Sequence, residues 1–181
     1  MDMTTERIPT QPNAVDVAAQ RWREGDQSAA FEVWQLCGSR LLRLARSLTR
    51  SQATAEDAVQ EAFLRAWRSI GQYDPRRPFE PWLSTIVVRE CRRAARKEAR
   101  GHESLQAQQD GSTDGALFEA VEELPQKMKE ALVLHYLLGY SVEETAQALR
   151  VPQGTVKSRL HSARTTLAAQ GFGGKRHEKR A

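Results

Sequence analysis

A chain of 181 residues with 40% apolar residues can build one medium domain or two small ones. It has no apolar run of about 18 residues, which argues against a membrane span, and its opening MDMTTERIPTQPN lacks a secretory signal pattern, so a cytoplasmic protein is expected. The net charge of +4 conceals two basic blocks, 16 basic against 10 acidic residues over 21–100 and 8 against 1 over 150–181, around an acidic stretch of 2 against 9, a layout that suits a polyanionic partner.

In chain order, residues 1–14 read as a mobile tail. Phe31, Trp34, Leu41, Leu44 and Leu48 then mark one apolar helical stripe, and Val59, Ala62, Phe63, Ala66, Trp67 and Ile70 a second. Thr54-Ala-Glu-Asp57 supplies a cap with acids in the first turn, where the helix dipole favours them. The proline-punctuated GQYDPRRPFEPW ends this helix and starts another, which carries Trp82, Leu83, Ile86, Val87 and Cys91 before running out into RECRRAARKEAR. Cys37 and Cys91 fit no metal-ligand spacing and are expected as buried free thiols. These helices make one small bundle over 15–99.

Residues 100–116 have few apolar side chains and no period, and are expected as a flexible linker. After it, Leu124, Met128, Ala131, Leu132 and Leu138 mark a helix ending at Gly139, and Ser141-Val-Glu-Glu144 is a capping box. The turn RVP then leads into VPQGTVKSRLHSAR, so residues 117–170 form a second domain with a helix-turn-helix. Residues 171–181, with GKRHEKR, form a basic tail that adds nonspecific affinity. The fold class is therefore all-α, two small helical domains.

The last helix rewards a closer look. At about 100° per residue, Val156, Leu160, Ala163 and Leu167 fall within roughly 60° of one another as a buried stripe. Ser158 and Thr165 lie opposite, His161 and Ser162 beside them, with Lys157 and Arg164 on one flank and Arg159 on the other. In a DNA major groove, such small central groups meet base edges while the flanking cations meet phosphates. Gly154 and Thr155 sit in the first turn, where a missing side chain lets a phosphate approach the helix's positive end.

Two stretches, TAEDAVQEAFLRAWRSI…YDPRRPFEPWLSTI and ELPQKMKEALVLHYLLGYSVEETAQALRVPQGTVKSRLHSAR, resemble bacterial extracytoplasmic-function (ECF) sigma factors. The first resembles their promoter-melting region 2, the second their region 4, and together they cover residues 29–167. The resemblance implies partners: core RNA polymerase, through its β′ clamp coiled coil and β flap, promoter DNA, and an anti-sigma factor.

It also implies roles. Asp57, Gln60 and Glu61, at i, i+3 and i+4 on one helix face, would dock on polymerase. Arg76 and Arg77 would hold phosphates of the −10 strand, with Phe79 or Trp82 offering a face to an unstacked base, although core packing serves Trp82 equally well. Arg89, Arg92, Arg93 and Arg96 would track its backbone. Gly154, Thr155, Lys157, Ser158, Arg159, His161, Ser162 and Arg164 would contact the −35 element. Family members often carry Asn and Asp where Arg89 and Arg93 stand, which changes −10 base preference, and Gly where Arg150 stands.

No cofactor, metal or catalytic residue is implied. The rivals are a dimeric helix-turn-helix regulator, which would not need the AEDAVQE face, and a carboxylate metal enzyme using Glu56, Asp57 and Glu61. No Glu-x-x-His pair occurs to support the latter.

Overall fold

The structure is a computed structural model, and it describes residues 13–100 and 113–172. Residues 1–12, 173–181 and most of the expected linker, 101–112, lie outside that description. The regular structure of the described residues is entirely helical.

α1 (Ala14–Arg23) starts at Asn13, whose side chain accepts from the Asp16 N–H at 3.1 Å, and it buries Val15, Ala18, Ala19 and Trp22. That i, i+3, i+4, i+7 pattern, preceded by a capping Asn, was the available signal for a helix at the edge of the expected tail. α2 (Ser28–Arg46) buries Val33, Cys37, Leu41 and Leu44. Phe31 and Trp34, expected in this stripe, are instead 65% and 37% exposed. Phe31 stands roughly 120° round the helix from the middle of the buried stripe, too far to share it.

α3 (Gln52–Ser69) is capped by Ser51, which accepts from the Thr54 N–H at 3.1 Å, so it starts before the expected Thr54 cap. It buries Ala55, Ala58, Val59, Ala62 and Ala66, but leaves Trp67 45% exposed, against expectation and for the same angular reason. After a short 3₁₀ turn at Ile70–Gln72, α4 (Phe79–Arg100) begins within the proline-rich loop. Asp16 of α1 accepts the Phe79 N–H at 2.8 Å, satisfying a donor that the helix start would otherwise leave open. Pro81 falls in the first turn, where its missing N–H leaves no helix bond unmade.

The remaining helices are α5 (Thr113–Glu122), α6 (Gln126–Leu132), prolonged by a π-helical turn at Val133–Leu137, α7 (Val142–Leu149) and α8 (Gln153–Leu167). Ser141 and Glu144 form the expected capping box, with reciprocal bonds of 3.1 and 2.8 Å. Between α7 and α8, Arg150 takes a left-handed conformation (φ 54°, ψ 51°). An L side chain pays about 1–2 kcal/mol there. Arg150→Gly is therefore expected to raise stability by about 1 kcal/mol, read as a higher thermal midpoint. An unchanged midpoint would refute the strain.

The second helix group does not stand apart from the first. α7 packs on α4, α6 packs on α8, and Ala131, Leu134, Leu138, Tyr140, Leu149 and Val156 join Leu41, Leu83, Val87 and Cys91 in one continuous apolar core. A smaller cluster of Ala120, Leu124, Ala163 and Leu167 ties α5 to α8. Cys37 and Cys91 are both free and buried, and burial pushes each thiol up to about 12.

Candidate nucleic-acid interface

α8 presents the surface its wheel predicts. Val156, Leu160, Ala163 and Leu167 are buried. Gly154, Lys157, Ser158, His161 and Arg164 are exposed, while Thr155, Arg159 and Ser162 are half-buried. Ser158 donates to the Thr155 carbonyl at 3.0 Å and Thr165 to the His161 carbonyl at 3.1 Å, so both hydroxyl hydrogens are committed to the helix backbone. Their oxygens remain acceptors for a base amino group. Arg159 Nη1 is buried without a hydrogen-bond partner among the described residues, which sets this arginine apart from the two exposed cations.

The −10 candidates gather at the start of α4 and along its length. Arg76 and Arg77 are exposed on the loop. Arg76 Nε and Nη2 each donate to Asp74 at 3.0 Å. That contact holds the Asp74 carboxyl down at about 2, so the pair stays ionised. A phosphate on Arg76 would have to compete with this carboxylate.

Phe79 is a correction. It is fully buried, with ring centroids 5.0 Å from Tyr73, 5.3 Å from Trp82 and 6.2 Å from Trp22, and it offers no face to a base. Trp82 is half-buried and lines a cleft of about 450 Å³ with Tyr73, Arg77, Thr85, Gln147 and Arg150. The Tyr73 hydroxyl donates to the Arg77 carbonyl at 2.7 Å and fixes the loop, and burial raises its pKa.

Along α4, Arg89, Arg93 and Arg96 are exposed. Burial, then the neighbouring guanidinium groups of Arg150, Arg92 and Arg93, pull Arg89 below the usual arginine range. Such a concentration of positive charge favours an anion. Arg93 lies 3.5 Å from Glu90. Arg92 differs from the others: it is half-buried and paired with Glu130 of α6. Gln147 and Arg150, which complete the cleft from the second helix group, escaped the sequence reading because no local pattern reports a contact between distant helices.

The docking candidates lie on α3. Asp57 and Gln60 are exposed, and Glu61 is half-buried, 2.9 Å from Arg65. The same face continues into Leu64, 47% exposed, and Trp67. Beside it the rings of Trp34 and Phe63 meet edge to face at 5.2 Å, and Trp67 reaches Trp22 at 5.7 Å. Leu64 was findable in the sequence: it is an apolar residue three and four places after Glu61 and Gln60, interrupting a polar face. Among the described residues no group of three or more His, Cys, Asp or Glu side chains could hold a metal, and no helix is long and apolar enough to cross a membrane.

Two family models match the chain. Residues 33–101 match the Sigma-70 region 2 family and residues 114–167 match Sigma-70, region 4. The ECF RNA polymerase sigma factor SigM of Mycobacterium tuberculosis is 35% identical over 152 residues, which cover 80% of this chain and 78% of that protein. Among solved structures, CnrH in complex with the cytosolic domain of CnrY aligns with a TM-score of 0.69 at 28% identity, covering 87% of this chain and 97% of that one. The sigma factor RpoE in complex with the anti-sigma factor NepR from Bartonella quintana aligns with a TM-score of 0.67 at 26% identity, covering 76% and 93%. With both regions matched in order and a relative of this identity spanned over most of its length, the chain belongs to the ECF RNA polymerase sigma factors, which direct transcription initiation at promoters.

Proposed function

We propose that this sigma factor divides its work among three surfaces. The α3 face of Asp57, Gln60 and Glu61, extended by Leu64 and Trp67, docks on the clamp coiled coil of core polymerase. The loop at Arg76 and Arg77, with Trp82 and the α4 arginines Arg89, Arg92, Arg93 and Arg96, holds the −10 strand as it separates. The exposed side of α8 lies in the −35 major groove, where Ser158, His161 and Ser162 face bases, Lys157, Arg159 and Arg164 face phosphates, and the first turn at Gly154 and Thr155 lets a phosphate approach the helix end. The β flap of polymerase holds the second helix group, and residues 101–112 serve as the linker between the two promoter contacts.

The observation that carries this reading is α8 itself, where Ser158 and Thr165 stand opposite a fully apolar stripe, with His161 beside them and the exposed Lys157 and Arg164 on the flank. Polymerisation belongs to the polymerase, so the sigma factor needs no catalytic residue, cofactor or metal, and it works in the cytoplasm beside the DNA it reads. One solved relative is in complex with the cytosolic domain of CnrY and another with the anti-sigma factor NepR, and an anti-sigma partner is proposed for this chain as well.

The decisive experiment combines the purified chain with core polymerase and cognate genomic DNA and maps transcript starts. A small, reproducible set of promoters is expected, and no specific start from folded protein refutes the reading. Within α8, His161→Ala is expected to relax preference at particular −35 bases, worth about 1–3 kcal/mol at each. Lys157→Ala should weaken every sequence alike and reduce the salt slope by about 1. Equal effects of both on all promoters would overturn that division.

A further inference from the structure

The cleft at Trp82 combines an aromatic wall with concentrated positive charge. Its volume of about 450 Å³ falls within the range of about 300–1,000 Å³ common to sites for small organic ligands. The Trp82 indole is held in place by Phe79 and Tyr73, at ring-centroid distances of 5.3 and 5.6 Å. Arg77 enters the lining from the loop and Arg150 from the turn after α7. Gln147 adds an amide. Thr85 adds a hydroxyl whose hydrogen goes to the Pro81 carbonyl at 3.0 Å, which leaves its oxygen able to accept.

The loop side of the cleft is already organised. The Tyr73 hydroxyl donates to the Arg77 carbonyl at 2.7 Å, and the Arg77 N–H donates to the Asp74 carbonyl at 3.0 Å. Asp74 is an acid in the lining, but Arg76, outside the lining, donates to it twice at 3.0 Å. Its charge is thus matched from outside, and the cleft keeps a positive excess.

Arg150 is the telling residue. It holds φ 54° and ψ 51°, a conformation that glycine takes without strain and an L residue keeps only where something offsets the cost. Glycine would end α7 equally well but would bring no guanidinium to the cleft. A charged neighbour of Arg150 is another cation, Arg89. Strain and like-charge repulsion accepted at one place are what an anion would relieve.

We propose that this cleft binds a free purine nucleotide carrying two or more phosphates, its base on the Trp82 indole and its phosphates between Arg77 and Arg150. Two guanidinium groups match the charge of a diphosphate and donate to its oxygens in pairs. The bicyclic indole matches a purine face. Inorganic pyrophosphate would leave the indole unused, and a neutral nucleoside would leave the arginines unmatched. Arg77 and Trp82 are shared with the proposed −10 contact, whereas Gln147 and Arg150 belong to the nucleotide site alone.

The test titrates GDP and ADP into the full chain by calorimetry and follows the thermal midpoint. One nucleotide per chain is expected, with a midpoint that rises with nucleotide concentration. Arg150→Gly should weaken binding by about tenfold or more, the loss of a charged hydrogen-bonding group. The same change relieves the backbone strain, so unfolding does not explain the loss. Trp82→Ala should weaken GDP by about tenfold and leave pyrophosphate affinity unchanged. Arg23→Gly, which removes an exposed cation of α1 outside the lining, should leave nucleotide binding unchanged.

No binding of either nucleotide, or unchanged binding in Arg150→Gly, overturns the site. Equal affinity for GDP and pyrophosphate overturns the stacking of the base. An equal loss in Arg23→Gly reduces the binding to general charge attraction and overturns the site as well. A short single-stranded oligonucleotide is titrated alongside, and Arg150→Gly weakening it as much as GDP would make the cleft a DNA contact instead. Transcription with core polymerase is measured on the same unsubstituted chain. Absent nucleotide binding with promoter-specific starts removes only the nucleotide site, whereas absent starts with intact GDP binding remove only the sigma-factor reading.

Discussion

Phe79→Ala is expected to lower the unfolding free energy by about 3–5 kcal/mol, the range for emptying a buried aromatic site. The ring is fully enclosed and touches Trp22, Tyr73 and Trp82, so its removal leaves a hole at the junction of α1, the loop and α4. Small domains are stable by only about 5–15 kcal/mol, so this single change consumes a large share. Denaturant unfolding followed by circular dichroism measures it. Phe79→Leu should lose far less, because the volume is largely kept. Trp82→Ala should show the opposite balance, with a smaller loss of stability and a clear loss of single-stranded DNA affinity. A Phe79→Ala protein of normal stability but poor DNA binding would return that residue to the base-contacting set.

Asp57→Arg combined with Gln60→Ala is expected to weaken binding to core polymerase by about 2 kcal/mol or more, roughly thirtyfold, since a reversed charge at the centre of an interface opposes its partner. Both side chains are exposed, so the fold and its melting temperature should be unaffected. Titration of labelled sigma factor with core polymerase measures the loss. Leu64→Ala and Trp67→Ala, on the same face, should weaken the complex too. Unchanged affinity in the double variant would remove α3 as the docking surface.

Much of this organisation is legible in the residues. The α8 stripe and the Ser141–Glu144 box follow from periodicity and capping chemistry, while the left-handed Arg150 is signalled only by the glycine that the resembled family carries there. The misplaced aromatics are instructive. Phe31, Trp34 and Trp67 have the size and apolarity of core residues, and an apolar count assigns them inward. An offset of about 120° from the alanine- and leucine-lined stripes puts Phe31 and Trp67 outward, whereas Trp34 shares the edge of its stripe, lays its ring against Gly38 and is left partly exposed. Phe79 went the other way: it opens α4 four residues before Leu83 and eight before Val87, on the same buried stripe, a period masked by the proline-punctuated segment around it. The seam between the helix groups was the least legible feature. A glutamate 38 positions from its arginine is, in sequence, one more charge on an acidic stretch.

The placement of the aromatic rings gives the molecule an optical asymmetry. All four tryptophans, Trp22, Trp34, Trp67 and Trp82, belong to α1–α4, and the second helix group has none. Intrinsic emission therefore watches one half of the protein. Trp34 and Trp67 lie at the exposed surface beside the face proposed to dock on polymerase, Trp82 in the cleft and Trp22 in the core between them. Binding of polymerase should shift the emission of the exposed pair towards the blue as water leaves their rings. Melting of α5–α8 alone should reach the tryptophans only as the seam against α4 is lost, so a comparison of fluorescence with helical dichroism separates the two halves without attaching a single dye.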